Sequence, residues 1–203
     1  MAGPARTGEK PKSAEGSSVR ERILATASDL FYRRGVHAVG VDLIIEQSAV
    51  AKASLYRHFR TKDDLVAAFL AREDSDFWST WDAVAAEHAG DPDAELTAHL
   101  SWIGSRVGRP GYRGCPQINV AAEFSDAEHP ARIVATAHKE ELRDRLTRLA
   151  QALEVRGPEQ LGAQLTVLIN GAFVSATVVP HLEAAPLLRS MAAALITAAR
   201  TGS

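Results

Sequence analysis

A single cysteine, Cys115, stands in a chain of 203 residues. An internal disulfide framework and a cysteine-rich zinc site are therefore excluded, which fits a reducing, cytoplasmic setting. No β-type alternation of any length occurs, so an all-β fold is excluded as well. The signatures GxSxG, HExxH, GxxxxGK[ST] and GxGxxG are all missing, and GSRVG at 104–108 has its serine one place too early. His88, His99, His129 and His138 show no i, i+4 ligand spacing. No catalytic residue, metal site or cofactor is expected. Residues 1–17 lack the apolar segment of a secretory signal and read as a disordered tail.

What is present is a core-forming composition, 46% hydrophobic, and a charge that is unevenly divided. The net charge of −2 resolves into +1 over residues 1–17, +4 over 18–62 and −7 over 63–203. A basic head on an acidic body is the pattern of a polyanion-binding module joined to a domain with another task. The expected boundaries are 1–17 for a tail, 18–62 for the basic head and 63–203 for the acidic body.

The head divides into short helices. Ser18-Val19-Arg20-Glu21 fits a capping box, so a helix is predicted from Val19. Ile23, Ala27, Leu30 and Phe31 then recur at helical spacing, and Gly35 ends the segment at residue 34. Gly40 is an acceptable N-cap for a second helix over about 41–48, with Leu43, Ile44 and Ile45 inside. Only Ala49, Val50 and Ala51 separate it from a third run, Lys52 to Phe59, which is helix-turn-helix spacing.

In that third helix Leu55 and Phe59 are four apart and face the core together. Lys52, Ala53, Ser54, Tyr56, Arg57 and His58 are left outside. A short exposed helix carrying cations and hydrogen-bonding groups fits the major groove of DNA, where it reads base edges and grips phosphates. Thr61-Lys62-Asp63-Asp64 opens a further helix, whose free amides together with Lys62 form another phosphate site.

Residues 19–66 resemble the DNA-binding domain of the tetracycline repressor (TetR) family of bacterial transcriptional regulators. The resemblance is carried by ILATASDLFYRRG, VDLIIEQSAV, KASLYRHF and TKDDL. RGCPQINVAAEFSDAEHPAR, at 113–132, is similar to the regulatory domain of one branch of that family. The usual family turn Ala-Gly-Val-Ser appears here as Ser48-Ala49-Val50-Ala51, so a glycine and the serine N-cap of the reading helix are missing. Such a cap is typically worth ~1 kcal/mol, and a left-handed turn is harder for Ala49 than for glycine.

The body reads as helices at 62–88, 93–107, 115–125, 129–155, 158–180 and 186–200, giving an all-α chain. From Gln160 to Leu182 there are 23 residues without Asp, Glu, Lys or Arg, long enough to span a bilayer. Gln164, Thr166, Asn170, Ser175 and Thr177 interrupt it, however, and no aromatic belt frames it, so an interface helix is expected and no membrane. Leu161, Leu165, Leu168, Ala172, Ser175 and Ala176 supply one apolar, small-residue stripe. Leu188, Met191, Ala192, Leu195 and Ala199 supply another. Packed against their symmetry mates, the two helices would form a four-helix homodimer interface, and the resemblance implies the same arrangement.

The resemblance also implies a small-molecule pocket in the body, for which Trp78, Trp81, Trp102, Asn119, Phe124, Asn170 and Phe173 are the candidate lining. The expected protein is an all-α, N-terminal helix-turn-helix, homodimeric regulator of double-stranded operator DNA. Most readily it is a repressor released by a hydrophobic or aromatic effector. An architectural DNA-binding protein without an effector and a helical enzyme are the alternatives.

Overall fold

The computed structural model describes residues 18–179 and 181–201, so the tail expected at 1–17 lies outside the described residues. These residues form helices and connecting turns, with no strand among them. The first three helices are α1 (Val19–Arg34), α2 (Val41–Ser48) and α3 (Lys52–His58), and the long α4 (Lys62–Glu87) follows. The body adds α5 (Pro92–Val107), α6 (Pro116–Glu123), α7 (Pro130–Ala152), α8 (Pro158–Val178) and α9 (Ala184–Thr201).

Local chemistry sets the starts. The Ser18 hydroxyl accepts from the Glu21 amide, and Asp91 caps α5 by accepting from the Ala94 amide at 3.0 Å. Proline opens α5, α6, α7 and α8 at their first turns, where its missing N–H has no helical partner to lose. Asp91-Pro92, which reads in the sequence as a break, is thus also a start. Thr61 and Asp64 close a reciprocal capping box on α4.

Two hydrophobic clusters fill the chain. The first gathers Ile23, Ala27, Phe31, Ile44, Leu55 and Phe59 around Leu65, Val66, Phe69 and Leu70 of α4, then recruits Val120 of α6 with Ala131 and Ala135 of α7. The second is centred on Phe77 and Trp81 of α4, Leu100 and Ile103 of α5, Leu142 and Leu146 of α7, and Leu165 and Phe173 of α8. A boundary drawn at residue 62 therefore cuts through the first core, which continues to Leu70 and takes in α6. At ~1.5 Å per residue, α4 is about 39 Å long and is embedded in both cores.

Polar contacts fasten the head to the body. The Glu123 carboxylate accepts from the amides of Val36 at 3.0 Å and His37 at 2.9 Å. The Tyr32 hydroxyl accepts from the Arg113 amide at 2.9 Å and donates to the Gly114 carbonyl. Within the body, Gly162 lets α8 approach α7 closely, since a Cβ there would lie 2.8 Å from Thr147 Cα.

The body also buries two histidines. His99 is wholly buried and stacked on Trp81 with 3.7 Å between ring centroids. His138 holds Nδ1 2.7 Å from Asp74 Oδ1. Burial pushes both imidazoles down to about 4, in His138 despite the raising effect of its Asp74 hydrogen bond. Both are therefore neutral when folded, while the unfolded chain takes up their protons first as the pH falls. Stability should be full above pH ~6.5 and decline as the pH falls toward about 4, by at most about 1.4 kcal/mol per histidine per pH unit. Urea unfolding followed between pH 7 and 4.5 checks this, and His99→Leu should flatten the slope.

Candidate nucleic-acid interface

The turn before α3 carries two unfavourable features. Ala49 adopts φ 52°, ψ 44°, the left-handed conformation that the tight connection between α2 and α3 requires. Its amide and that of Val50 close the end of α2 onto Glu46 and Ile45 carbonyls. Ala51 is the N-cap of α3 and offers no side-chain acceptor. The Ser48 hydroxyl, the only one in the turn, donates to the Ile44 carbonyl at 2.6 Å and is buried. The missing glycine and the missing cap are thus both real costs here.

Leu55 and Phe59 are buried, and they fix which face of α3 is free. Lys52, Ala53, Tyr56, Arg57 and His58 are exposed, and Ser54 is half-buried. Arg57 donates to Ser54 Oγ at 3.2 Å, while Lys52 lies 3.3 Å from Asp42 Oδ1 across a solvent-exposed pair. Such a pair is worth ~0–1 kcal/mol, so it holds Lys52 only loosely. Arg20 of α1 sits over the Phe59 ring at 5.0 Å and extends the cationic edge beside α3.

Lys62 differs from the expectation of a free phosphate-binding ammonium. Its Nζ donates to the Val36 carbonyl at 2.7 Å, tying the α1–α2 loop to the start of α4. The Thr61–Asp64 capping box also occupies two of the amides counted for a phosphate there. Lys62 thus ties parts of the head together, while Lys52 and Arg57 stand exposed on α3.

The expected pocket residues are not brought together. Trp78, Trp81 and Trp102 pack with Phe77, His99 and His138 in one aromatic cluster. Phe124 instead stacks on His129 at 3.8 Å beside His37, at the head–body junction. Asn119 is exposed and lines a cleft of about 540 Å³ between α1 and α6. Asn170 accepts from Lys139, whose ammonium lies 5.1 Å from the Phe173 ring. Aromatic content alone could not separate these places, because ring-rich core and ring-rich pocket have the same composition.

The expected interface stripes are also partly redirected. Leu161, Leu165, Leu188 and Ala192 are buried in the chain's own core, where they pack α8 and α9 onto the body. Leu168, Ala172, Ser175, Ala176, Leu195 and Ala199 are half-buried, and Met191 is 52% exposed. The strongly exposed apolar residues on these helices include Val167 at 72% and Val178 at 70%. An open groove of about 640 Å³ runs between the helices, lined by Ala163, Val167, Leu168, Met191, Ala194 and Leu195 with Gln160 and Gln164. The sequence held this signal in the spacing of Val167, Val174 and Val178. In a helix apolar all round, however, two faces compete for the core.

The turn is directly testable. Ala49→Gly should stabilise the protein by ~0.5–1 kcal/mol by relieving the left-handed conformation, and Ala51→Ser should add ~0.5–1 kcal/mol as an N-cap. Thermal or urea unfolding of the two variants measures both gains.

Comparison with known proteins places this geometry. Residues 23–69 match the family model described as bacterial regulatory proteins, tetR family. The regulator LmrA of Bacillus subtilis is 30% identical over 114 residues, which cover 56% of this chain and 61% of LmrA. The matched stretches span 24% to 61% of the first curated relatives, less than two thirds of their length. Solved structures match more fully. A TetR-family transcriptional regulator from Streptomyces coelicolor superposes with a TM-score of 0.84 at 29% identity, over 90% of this chain and 96% of that one. A putative TetR transcriptional regulator from Streptomyces avermitilis gives 0.78 at 30% identity, over 90% and 98%. With its exposed α3 on a three-helix head and a helical body behind it, the chain belongs to the TetR family of DNA-binding transcriptional regulators.

Proposed function

We propose that this protein is a homodimeric repressor that occupies a palindromic operator and leaves it when a small apolar or aromatic effector enters the body. The reading rests above all on the exposed face of α3, where Lys52, Tyr56 and Arg57 project from a helix whose opposite side, Leu55, is buried. Arg57 reads a base edge in the major groove, Lys52 and Tyr56 grip phosphates, and Ser54 orients the Arg57 guanidinium through their 3.2 Å contact. Ala53 lies at the N-terminal end of the helix, where the backbone approaches the groove, and His58 lies at its far end. Residues 18–70 with α6 act as the reading unit, and the rest of the chain regulates it.

Dimerisation is assigned to the groove between α8 and α9, supported by its apolar lining and by the exposed Val167, Val178 and Met191. A patch of this kind on a water-exposed helix pair favours burial against a second copy. Two heads held by one interface read two half-sites, which accounts for operator symmetry. An effector that binds the non-reading arrangement better than the reading one shifts the dimer off DNA by no more than that difference in affinity.

Selection of bound sequences from a random DNA library should return a palindrome, and recovery of no preferred sequence would overturn the repressor reading. On the selected site, Arg57→Ala should cost ~1–3 kcal/mol and relax one base position. Lys52→Ala should weaken all sequences similarly and lower the salt slope by about 1. Val167→Glu changes a side chain already in solvent, so the monomer fold should persist. Sedimentation should then show monomers, with operator affinity lost in parallel; an unchanged dimer would place the interface elsewhere.

A further inference from the structure

The head and the body are joined by two sets of polar contacts, and residues of both sets line one open cleft of about 540 Å³. In the first, the Tyr32 hydroxyl accepts from the Arg113 amide and donates to the Gly114 carbonyl. In the second, the Glu123 carboxylate accepts from the Val36 and His37 amides. Phe31, Phe69 and Val120, all buried, supply an apolar floor. The volume falls within the ~300–1,000 Å³ of small-molecule sites. With Arg34, Arg113 and Asn119 exposed along it, this cleft belongs to the surface of the joint and not to the interior of the body.

Most polar groups of the cleft are already engaged. The Glu123 oxygens are held by two amides, the Asn119 amide donates to the Arg113 carbonyl at 2.7 Å, and the Tyr112 hydroxyl donates to the Phe173 carbonyl. Burial raises the Tyr112 phenol well above its ordinary range, so it brings no negative charge. Two groups are left over. The guanidinium of Arg34, in the last turn of α1, and that of Arg113, in the loop before α6, make no hydrogen bond or ion pair among the described residues. Glu123 is the one carboxylate among the described lining residues, so the lining stays net positive with its charge included. This local excess of positive charge borders a segment, residues 63–203, whose net charge is −7. One solvated arginine signals nothing. Two that share a cleft with an apolar floor can hold both ends of one anion.

We infer that this junction cleft binds a small organic dianion, a dicarboxylate whose two ends pair with Arg34 and Arg113 while its carbon chain lies on the apolar floor. A guanidinium presents a planar fork of N–H donors that matches a carboxylate, and a fork at each end selects two charges over one. Arg34 belongs to the head and Arg113 to the loop between α5 and α6. A bound dianion therefore adds a third tie across the joint that Tyr32 and Glu123 already bridge, and it holds the head in its present attitude on the body. Because both cations are exposed, added salt weakens the tie. The site depends neither on dimerisation nor on an apolar effector inside the body.

The experiment is calorimetric titration of the full-length protein with glutarate, butyrate, glutaramide and sulfate at fixed ionic strength. Glutarate should saturate at one per chain and bind about tenfold more tightly than butyrate, which engages a single guanidinium. Glutaramide, of the same length and uncharged, should not bind, and sulfate should bind more weakly than glutarate. Arg34→Gln and Arg113→Gln should each lower glutarate affinity about tenfold. Both side chains are exposed, so both variants should fold, as circular dichroism checks. Arg109→Gln, outside the cleft, should leave the affinity unchanged. Hydrogen exchange at the Arg113 amide, which donates to Tyr32, should slow several-fold with glutarate in the wild type and not in Arg34→Gln. Absence of saturable glutarate binding, equal affinity for glutarate and sulfate, unchanged affinity in either cleft variant, or an equal loss in Arg109→Gln would each overturn the inference. None of these outcomes bears on operator recognition, which the selected DNA sequences test separately.

Discussion

The sharing of α4 between two hydrophobic cores governs the rest of this structure. Leu65, Val66, Phe69 and Leu70 seal the head from below, while Phe77 and Trp81 anchor the body. Neither core closes without the helix. A rigid element embedded at both ends transmits displacement, because packed side chains resist compression and shift as units. The remaining junction contacts, from Glu123 to the Val36 and His37 amides and from Tyr32 to the Arg113 amide and Gly114 carbonyl, fix the head's attitude around that helix.

This arrangement explains why the turn before α3 tolerates unfavourable chemistry. Ala49 is held in a left-handed conformation and Ala51 leaves α3 uncapped, so the turn itself contributes little to positioning the reading helix. Leu55 and Phe59 do that instead, since both are buried against the α1–α4 core. Lys62 reinforces the same frame by binding the Val36 carbonyl. Lys62, which the sequence presents as part of a DNA site, thus belongs to the frame, and the exposed side chains of α3 stand clear of it.

The body distributes its polar residues by the same logic. Asp74 receives both the Trp78 indole N–H and His138, and Arg145 joins Asp82, Glu141 and the Trp78 ring, so most buried or half-buried charge is paired where it stands. Exceptions remain among the described residues: Gln117, whose amide donates to the Leu70 carbonyl of α4, leaves its Oε1 without a hydrogen-bond partner, as His99 leaves its Nδ1.

The sequence by itself determined the helices, because capping residues, proline at first turns and apolar spacing act over a few residues at a time. The start of α1 at Val19 and of α4 at Lys62, the short α2–α3 turn and the exposed face of α3 were all legible in that way. Which apolar face of α8 turns inward was decided only by tertiary packing, since a helix apolar on every side has no preferred face until α7 and α9 choose one. The same holds for the residues expected to line a pocket. Trp78, Asn119, Phe124 and Asn170 are far enough apart in environment that no spacing rule could sort them. The unpartnered oxygen of Gln117 exists only because α6 crosses α4 at Leu70, a contact between residues 47 positions apart in the chain.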